Sequence, residues 1–429
     1  MTYVKKRLPG WACALVSVAV AAPGLTGCGV LPGGDGAEGT RTVSVWLMKG
    51  SVSDAFLERF TTAYEEDHPG VAIEVAFQEW TGIGKKVTAA LESEDAPDVI
   101  EVGNTQVAQY AETDLLHDLT LESVRDLGYE DWLPGLAEPG KVDGSQYGIP
   151  WYAANRVVIY NKDLFDRAGI ESPPATREQW LEDTGKLDET PGGIQGIYLA
   201  GQDWYTLAGF VWDEGGELAV RKDGVWTGAL DTPAALRGMA VYKELQALGE
   251  GPRNADEENP PQAQVFARGD VAQIIAPPSA AAAIQERNPA LKDKLGFFPI
   301  PGRTAGKPCP VFTGGSDLII PRRSDDRDAA MDVVAALAGE KWQTDLARTM
   351  NYVPNKATLA SAVEGQEATA AMAVGAARGR ATPNSPEWAA VEEANPIKPY
   401  MTAVLEGGSP ERAAKAASAR ITAILRGRP

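Results

Sequence analysis

Three cysteines and two histidines in 429 residues leave little for metal or nucleophile chemistry. With His68 and His117 as the imidazoles, a histidine-built zinc site or a catalytic triad lacks its raw material. Cys13 and Cys28 lie near the N-terminus, so Cys309 stands alone in the body of the chain. No disulfide or cysteine metal cluster is expected there. The motifs H-E-x-x-H and G-x-S-x-G are absent. Gly82-Ile83-Gly84-Lys85-Lys86 fails as a phosphate loop, because Glu79 stands where Gly is needed and Lys86 where Ser or Thr is needed. The G-x-G-x-x-G from Gly34 to Gly39 has no strand before it, which excludes a dinucleotide fingerprint. No catalytic residue, metal or cofactor is expected. With 59 acidic residues, a glycosidase carboxylate pair is arithmetically open, but context picks none out.

Positive charge is also short. Forty Lys and Arg against 59 Asp and Glu give a net charge of −19, which disfavours nucleic acid and anionic lipid surfaces as partners. No apolar run beyond the N-terminus is long enough to cross a membrane. At the N-terminus, Lys5-Lys6-Arg7 precede a short apolar stretch from Leu8 to Gly24 that reads as a signal peptide, residues 1–27. Leu25-Thr26-Gly27-Cys28 resembles a bacterial lipobox, which implies cleavage before Cys28 and a lipid anchor on its sulfur. Residues 28–40 then read as a Gly-rich flexible tether. The 402 residues from Cys28 exceed what one core usually serves, so two lobes are expected.

From Arg41 the pattern alternates strand and helix. Thr42–Leu47, Val71–Phe77 and Asp98–Val102 read as strands. Between them, Phe56, Phe60 and Tyr64 recur at helical spacing, with Ser51 and Asp54 resembling a capping box, and a second helix is expected over Ile83–Glu94. This order implies an open α/β sheet, in which ligands bind beyond the carboxyl ends of the strands. The loops of interest are therefore Lys49-Gly50-Ser51, Gln78-Glu79-Trp80 and Gly103-Asn104-Thr105-Gln106. Further on, the Ala-rich stretch Ala360–Ala381 reads as helix. Trp46, inside a strand, and Trp212 and Trp226 read as structural.

The stretch Gly144–Ile170 reads as a strand, a bend with aromatic rings, a buried strand over Val157–Tyr160, and a helix capped by Asn161 and closed by Gly169. Tyr160-Asn161-Lys162-Asp163-Leu164-Phe165 with Ala168-Gly169-Ile170 resembles the interlobe crossover of the solute-binding lipoproteins of carbohydrate ABC importers. Glu101-Val102-Gly103-Asn104-Thr105-Gln106, Asn155-Arg156-Val157-Val158, Gly314-Gly315-Ser316 and Glu387-Trp388-Ala389-Ala390-Val391-Glu392 resemble the same family, within it the actinobacterial diacetylchitobiose binders. The resemblance runs from about residue 41 to 425.

That resemblance implies an α/β, two-lobed, type II periplasmic-binding-protein-like fold, each lobe an open sheet flanked by helices, with three interlobe crossings. Lobe 1 is expected over 41–150 and 311–353, and lobe 2 over 151–310 and 354–429, with crossings near Ile149–Tyr152, Cys309–Phe312 and Asn351–Pro354. It further implies a monomer on the extracellular face of the membrane that captures a di- or oligosaccharide and docks on permease subunits.

Sugars present apolar C–H faces and polar rims, so aromatic platforms with a few amides and carboxylates suit them. Stacking is expected from Trp80, Trp151, Tyr152, Trp204, Tyr205 and Trp388, and hydrogen bonding from Asn104, Thr105, Asp203, Ser279 and Gly314-Gly315-Ser316. Where many relatives place a tryptophan near position 279, this chain has Pro277-Pro278-Ser279. A same-fold binder of a non-sugar solute and a secreted carbohydrate-active enzyme remain as alternatives.

Overall fold

The computed structural model describes residues 40–80 and 82–427. The signal-peptide and lipobox expectations, Cys28 included, lie outside these residues. Lobe 1 is built on a six-stranded sheet in the order 353–354, 149–154, 314–319, 99–103, 41–48, 71–78. Arg41–Met48 pairs in parallel with Val71–Gln78 and with Val99–Gly103, whereas Gly314–Ile319 runs antiparallel to Val99–Gly103 and to Ile149–Ala154. The alternation along Arg41–Met48 explains why this segment is a strand. Val43, Val45 and Leu47 point into one core with Phe56, Phe60 and Tyr64, while Met48 and partly buried Trp46 face another with Ile83, Val87 and Leu91.

Lobe 2 centres on Val157–Asn161, flanked antiparallel by Gln273–Ala276 and Leu295–Phe298. All five residues of the central strand are buried, and they too alternate. Val158 and Tyr160 join the main lobe 2 core with Trp180, Phe210 and Tyr242, whereas Val157 and Ile159 face a core shared with Leu133, Leu136, Ala153 and Val353 of lobe 1. This shared core forms the junction. The helix Lys162–Arg167 starts as expected, with the Asn161 side chain accepting from the Asp163 N–H, and Gly169 follows it at φ +70°.

Several local expectations need correction. The first helix is Asp54–Asp67 and is capped by Ser53, not Ser51. Ser51 is buried and bonded elsewhere. Ala360–Ala381 is not one helix. A 3-10 segment over Ala357–Val363, a helix over Glu367–Ala376 and a short strand at Gly379–Arg380 share it. Trp46 packs on the lobe 1 core as expected, with the Lys86 ammonium 5.1 Å from its ring centre.

The crossings also fall later than expected. Ile149–Ala154 stays paired with Gly314–Ile319 as far as Ala154, so the chain leaves the lobe 1 sheet at Asn155-Arg156, not at residue 150. Cys309 and Val311 belong to the lobe 2 core, which puts the second crossing at Phe312–Thr313. The third comes after Val363, since the 3-10 segment packs on the lobe 1 helix Glu340–Met350 and the next helix packs on lobe 2. For the first two crossings the pairing partner lies far along the chain.

Gly315 marks a close approach beside the junction. A Cβ there would fall 2.1 Å from the Tyr152 carbonyl oxygen and 3.1 Å from the Ala153 Cα, both backbone atoms that cannot swing away. Gly315→Ala is therefore expected to cost about 1–3 kcal/mol of stability by overpacking. Urea unfolding of the two proteins checks this, and an unchanged midpoint would contradict the packing described.

Candidate interlobe binding site

Because the lobe 1 strands are co-directional, the ends of 41–48, 71–78, 99–103 and 149–154 reach one edge of the sheet, where the return strand begins at Gly314. The loops Lys49–Ser51, Gln78–Trp80 and Gly103–Gln106 therefore form a single rim. A fully buried carboxylate holds this rim together. Glu101 accepts from the Met48 N–H at 2.7 Å, from Ser51 Oγ and Ser316 Oγ at 2.6 Å each, and from the Tyr152 hydroxyl at 3.0 Å. Burial pushes its pKa up, and these four bonds pull against that. Asn104, also buried, donates from Nδ2 to the Thr313 carbonyl at 2.9 Å and so fastens the rim to the second crossing. Tyr352 stacks on Tyr152 with ring centres 4.0 Å apart and donates to the Gly50 carbonyl at 3.1 Å.

Lobe 2 faces this rim with an ion cluster and an aromatic stack. Asp203 caps the helix Trp204–Asp213, accepting from the Thr206 N–H and from the Thr206 hydroxyl. Arg156, from the first crossing, pairs with Asp203 at 3.4 Å and with Glu257. Burial opposes the charge on Arg156, but the two carboxylates outweigh it and hold its pKa above the ordinary value. The guanidinium carbon lies 4.6 Å from the ring centre of Tyr205, which has Trp204 at 4.0 Å and Phe312 at 4.6 Å. Gly209 on the same helix lets the second crossing come close, since a Cβ there would meet the Pro310 carbonyl oxygen at 2.6 Å.

Across the gap, the lobes touch where Thr105 Oγ1 donates to Glu392 Oε2 at 3.4 Å, while the Trp388 indole N–H donates to Glu392 Oε1 at 2.9 Å. Burial pushes the Glu392 carboxyl up to about 7 despite those two bonds. The Tyr205 hydroxyl is raised first by burial, then by the charge of Glu392, with Arg156 acting the other way and Glu257 and Asp203 adding to the rise. Arg156 thus lies against the Tyr205 ring and pairs with Asp203 and Glu257.

Trp80, 43 % exposed, stands over Gly103 on the rim, beside Asn104 and Thr105, and Tyr205 comes from the opposite lobe. Other expected contacts need correction. Trp151 is fully buried in the lobe 1 core, with Tyr152 at its edge, so it offers no platform. Trp388 is fully buried and Trp204 is 5 % exposed, so both back the site from the lobe 2 core. Asp203 is committed to its cap and to Arg156, and the hydroxyls of Tyr152 and Ser316 to Glu101. Gly314 and Gly315 are half-buried strand residues at the start of the return strand. Ser279 lies apart, in a hollow of about 680 Å³ with Glu258, Gln262 and Glu286.

The sequence reading missed Arg156, Glu257, Phe312, Tyr352 and Glu392. Arg156 and Glu392 stood in phrases that resemble the family, and Glu392 is also four residues after Trp388 and hence on the same helix face.

The family model for bacterial extracellular solute-binding proteins matches residues 49–344. The diacetylchitobiose-binding protein DasA of Streptomyces coelicolor is 39 % identical over 408 residues, 95 % of this chain and 95 % of its own. Among solved structures, the sugar-binding protein MalE from Xanthomonas citri superposes with a TM-score of 0.81 at 22 % identity, covering 90 % of this chain and 98 % of that one. The GacH receptor of Streptomyces glaucescens gives 0.73 at 23 % identity, over 91 % of this chain and 100 % of its own. These two likenesses fix the two-lobed fold, and the family match with the full-length relative establishes that the chain belongs to the bacterial extracellular solute-binding proteins.

Proposed function

We propose that the chain is the capture component of a carbohydrate ABC importer. It holds a di- or oligosaccharide, N,N′-diacetylchitobiose in the first instance, between its lobes and delivers it to permease subunits. The observation that carries this reading is the full-length 39 % identity to a diacetylchitobiose binder. The rim of lobe 1 and the aromatic stack of lobe 2 meet in the chemistry such a ligand needs. Trp80 offers an open ring face to the C–H side of a sugar, and the half-buried rings of Tyr205, Phe312 and Tyr352 supply further apolar surface. Thr105, Glu257 and Glu392 and the Tyr205 hydroxyl supply polar partners for its rim. The protein works as a monomer, held at the extracellular face of the membrane by a lipid on Cys28, with no catalytic step of its own.

A cationic solute is the second reading. The excess of Asp203, Glu257 and Glu392 over Arg156 around Tyr205 favours it. Calorimetric titration with N,N′-diacetylchitobiose, other oligosaccharides and polyamines separates the two. Saccharide binding is expected, accompanied by a rise in melting temperature, since a ligand at 100 times its Kd stabilises the folded state by about 2.7 kcal/mol. A response to polyamines alone would overturn the saccharide reading.

Glu392 gives the binding a pH signature. An ionised carboxylate accepts sugar hydroxyls more strongly than a neutral carboxyl. With its pKa raised to about 7, Glu392 is protonated in acid and ionises as the pH rises through neutrality. Affinity is therefore expected to increase several-fold between roughly pH 5.5 and 8 and to lose this dependence in Glu392→Gln. Equal slopes in the two proteins would remove Glu392 from the site.

A further inference from the structure

We propose that Arg156 is the positioning residue of the site, holding Tyr205 in place and joining the first two crossings to the aromatic stack as one unit. The proposal rests on the saccharide reading of the cleft. Arg156 is the last residue before Val157–Asn161 begins, so it lies within the first crossing. Phe312 belongs to the second, where Val311–Phe312 pairs with Gly379–Arg380 before the chain enters lobe 1. Tyr205 sits on a lobe 2 helix between them, 4.6 Å from the Arg156 guanidinium and 4.6 Å from the Phe312 ring centre. Two segments that join the lobes therefore both contact one ring cluster.

The chemistry of Arg156 suits this task. Its guanidinium is planar, so it can lie over a ring while Nη2 donates to Glu257 and Nε stands 3.4 Å from Asp203 as an ion pair. Asp203 is fixed in turn by Thr206 and the helix N-terminus, so the guanidinium has a fixed carboxylate beside it. A lysine could balance the charge but has no flat face for Tyr205. With Arg156, Trp204 and Phe312 all within 4.6 Å of its ring, Tyr205 is held on several sides, and Asp203 and Glu257 stand beside the same guanidinium. A ligand donating to those carboxylates would meet a preset tyrosine, with no ordering cost left to bear. A purely structural Arg156 would neutralise the carboxylates and nothing more.

The test is a double-mutant cycle, with a ligand-free measurement as its second arm. Arg156→Lys keeps the charge and loses the flat fork, and Tyr205→Leu removes the ring. In titrations with N,N′-diacetylchitobiose each single variant is expected to bind at least tenfold more weakly, and the double variant no more weakly than Tyr205→Leu. Additive losses, or unchanged binding by Arg156→Lys, would overturn the proposal.

Without ligand, hydrogen exchange at Thr313, whose N–H donates to the Arg380 carbonyl at 3.0 Å, is expected to quicken in Arg156→Lys. Unchanged exchange there would show that the crossings are not joined. Phe312→Leu touches none of the buried charges and gives the converse measurement, faster exchange at residues 155–158. It decides the question should the lysine variant fail to fold. If wild-type protein does not bind the sugar, the saccharide reading fails, while the exchange arm still judges Arg156.

Discussion

The architecture of the cleft depends on the burial of one carboxylate. Taking Glu101 out of water would be prohibitive without partners, and the fold supplies four, from the loop after strand 41–48, from the strand of the first crossing and from the return strand. The four donors sit on three segments, so satisfying the carboxylate fixes those segments to one another. The rim loops, which carry Trp80 and Thr105, thereby rest on a rigid support. Loops hung on rigid elements make more precise binding sites than loops hung on one another.

Lobe 2 solves the equivalent problem with opposite charges. Arg156 stands between Asp203 and Glu257, and the aromatic rings pack against the resulting cluster. Neutral donors around Glu101 make the lobe 1 side a fixed template. The ion cluster reaches from a crossing into a lobe, which gives the lobe 2 side a link to any bending at the junction. Glu392 closes the arrangement by reaching Thr105, so the two sides meet through a group that titrates near neutrality.

Much of this was legible in the residues. Period-two alternation located the strands, and the run Val157–Ile159 announced a strand buried on both faces. The parallel order pointed to the sheet edge at which Trp80, Asn104 and Thr105 stand together. Burial was the illegible quantity. Trp151 and Trp204 look like loop residues by their neighbours, yet one completes a strand and the other the first turn of a helix, and both rings turn into cores. Arg156 stood in a phrase that resembles the family, but nothing assigned it a role, because its partners come from distant parts of the chain. The first crossing was misplaced for the same reason, since a strand ends where its far partner ends.

The most direct measurement is a crystal structure of the protein with N,N′-diacetylchitobiose. The account expects the sugar between the lobes, in contact with both Trp80 of lobe 1 and Tyr205 of lobe 2, with Glu392 within hydrogen-bonding distance of it. A sugar seated in the hollow around Ser279, or touching one lobe alone, would contradict it.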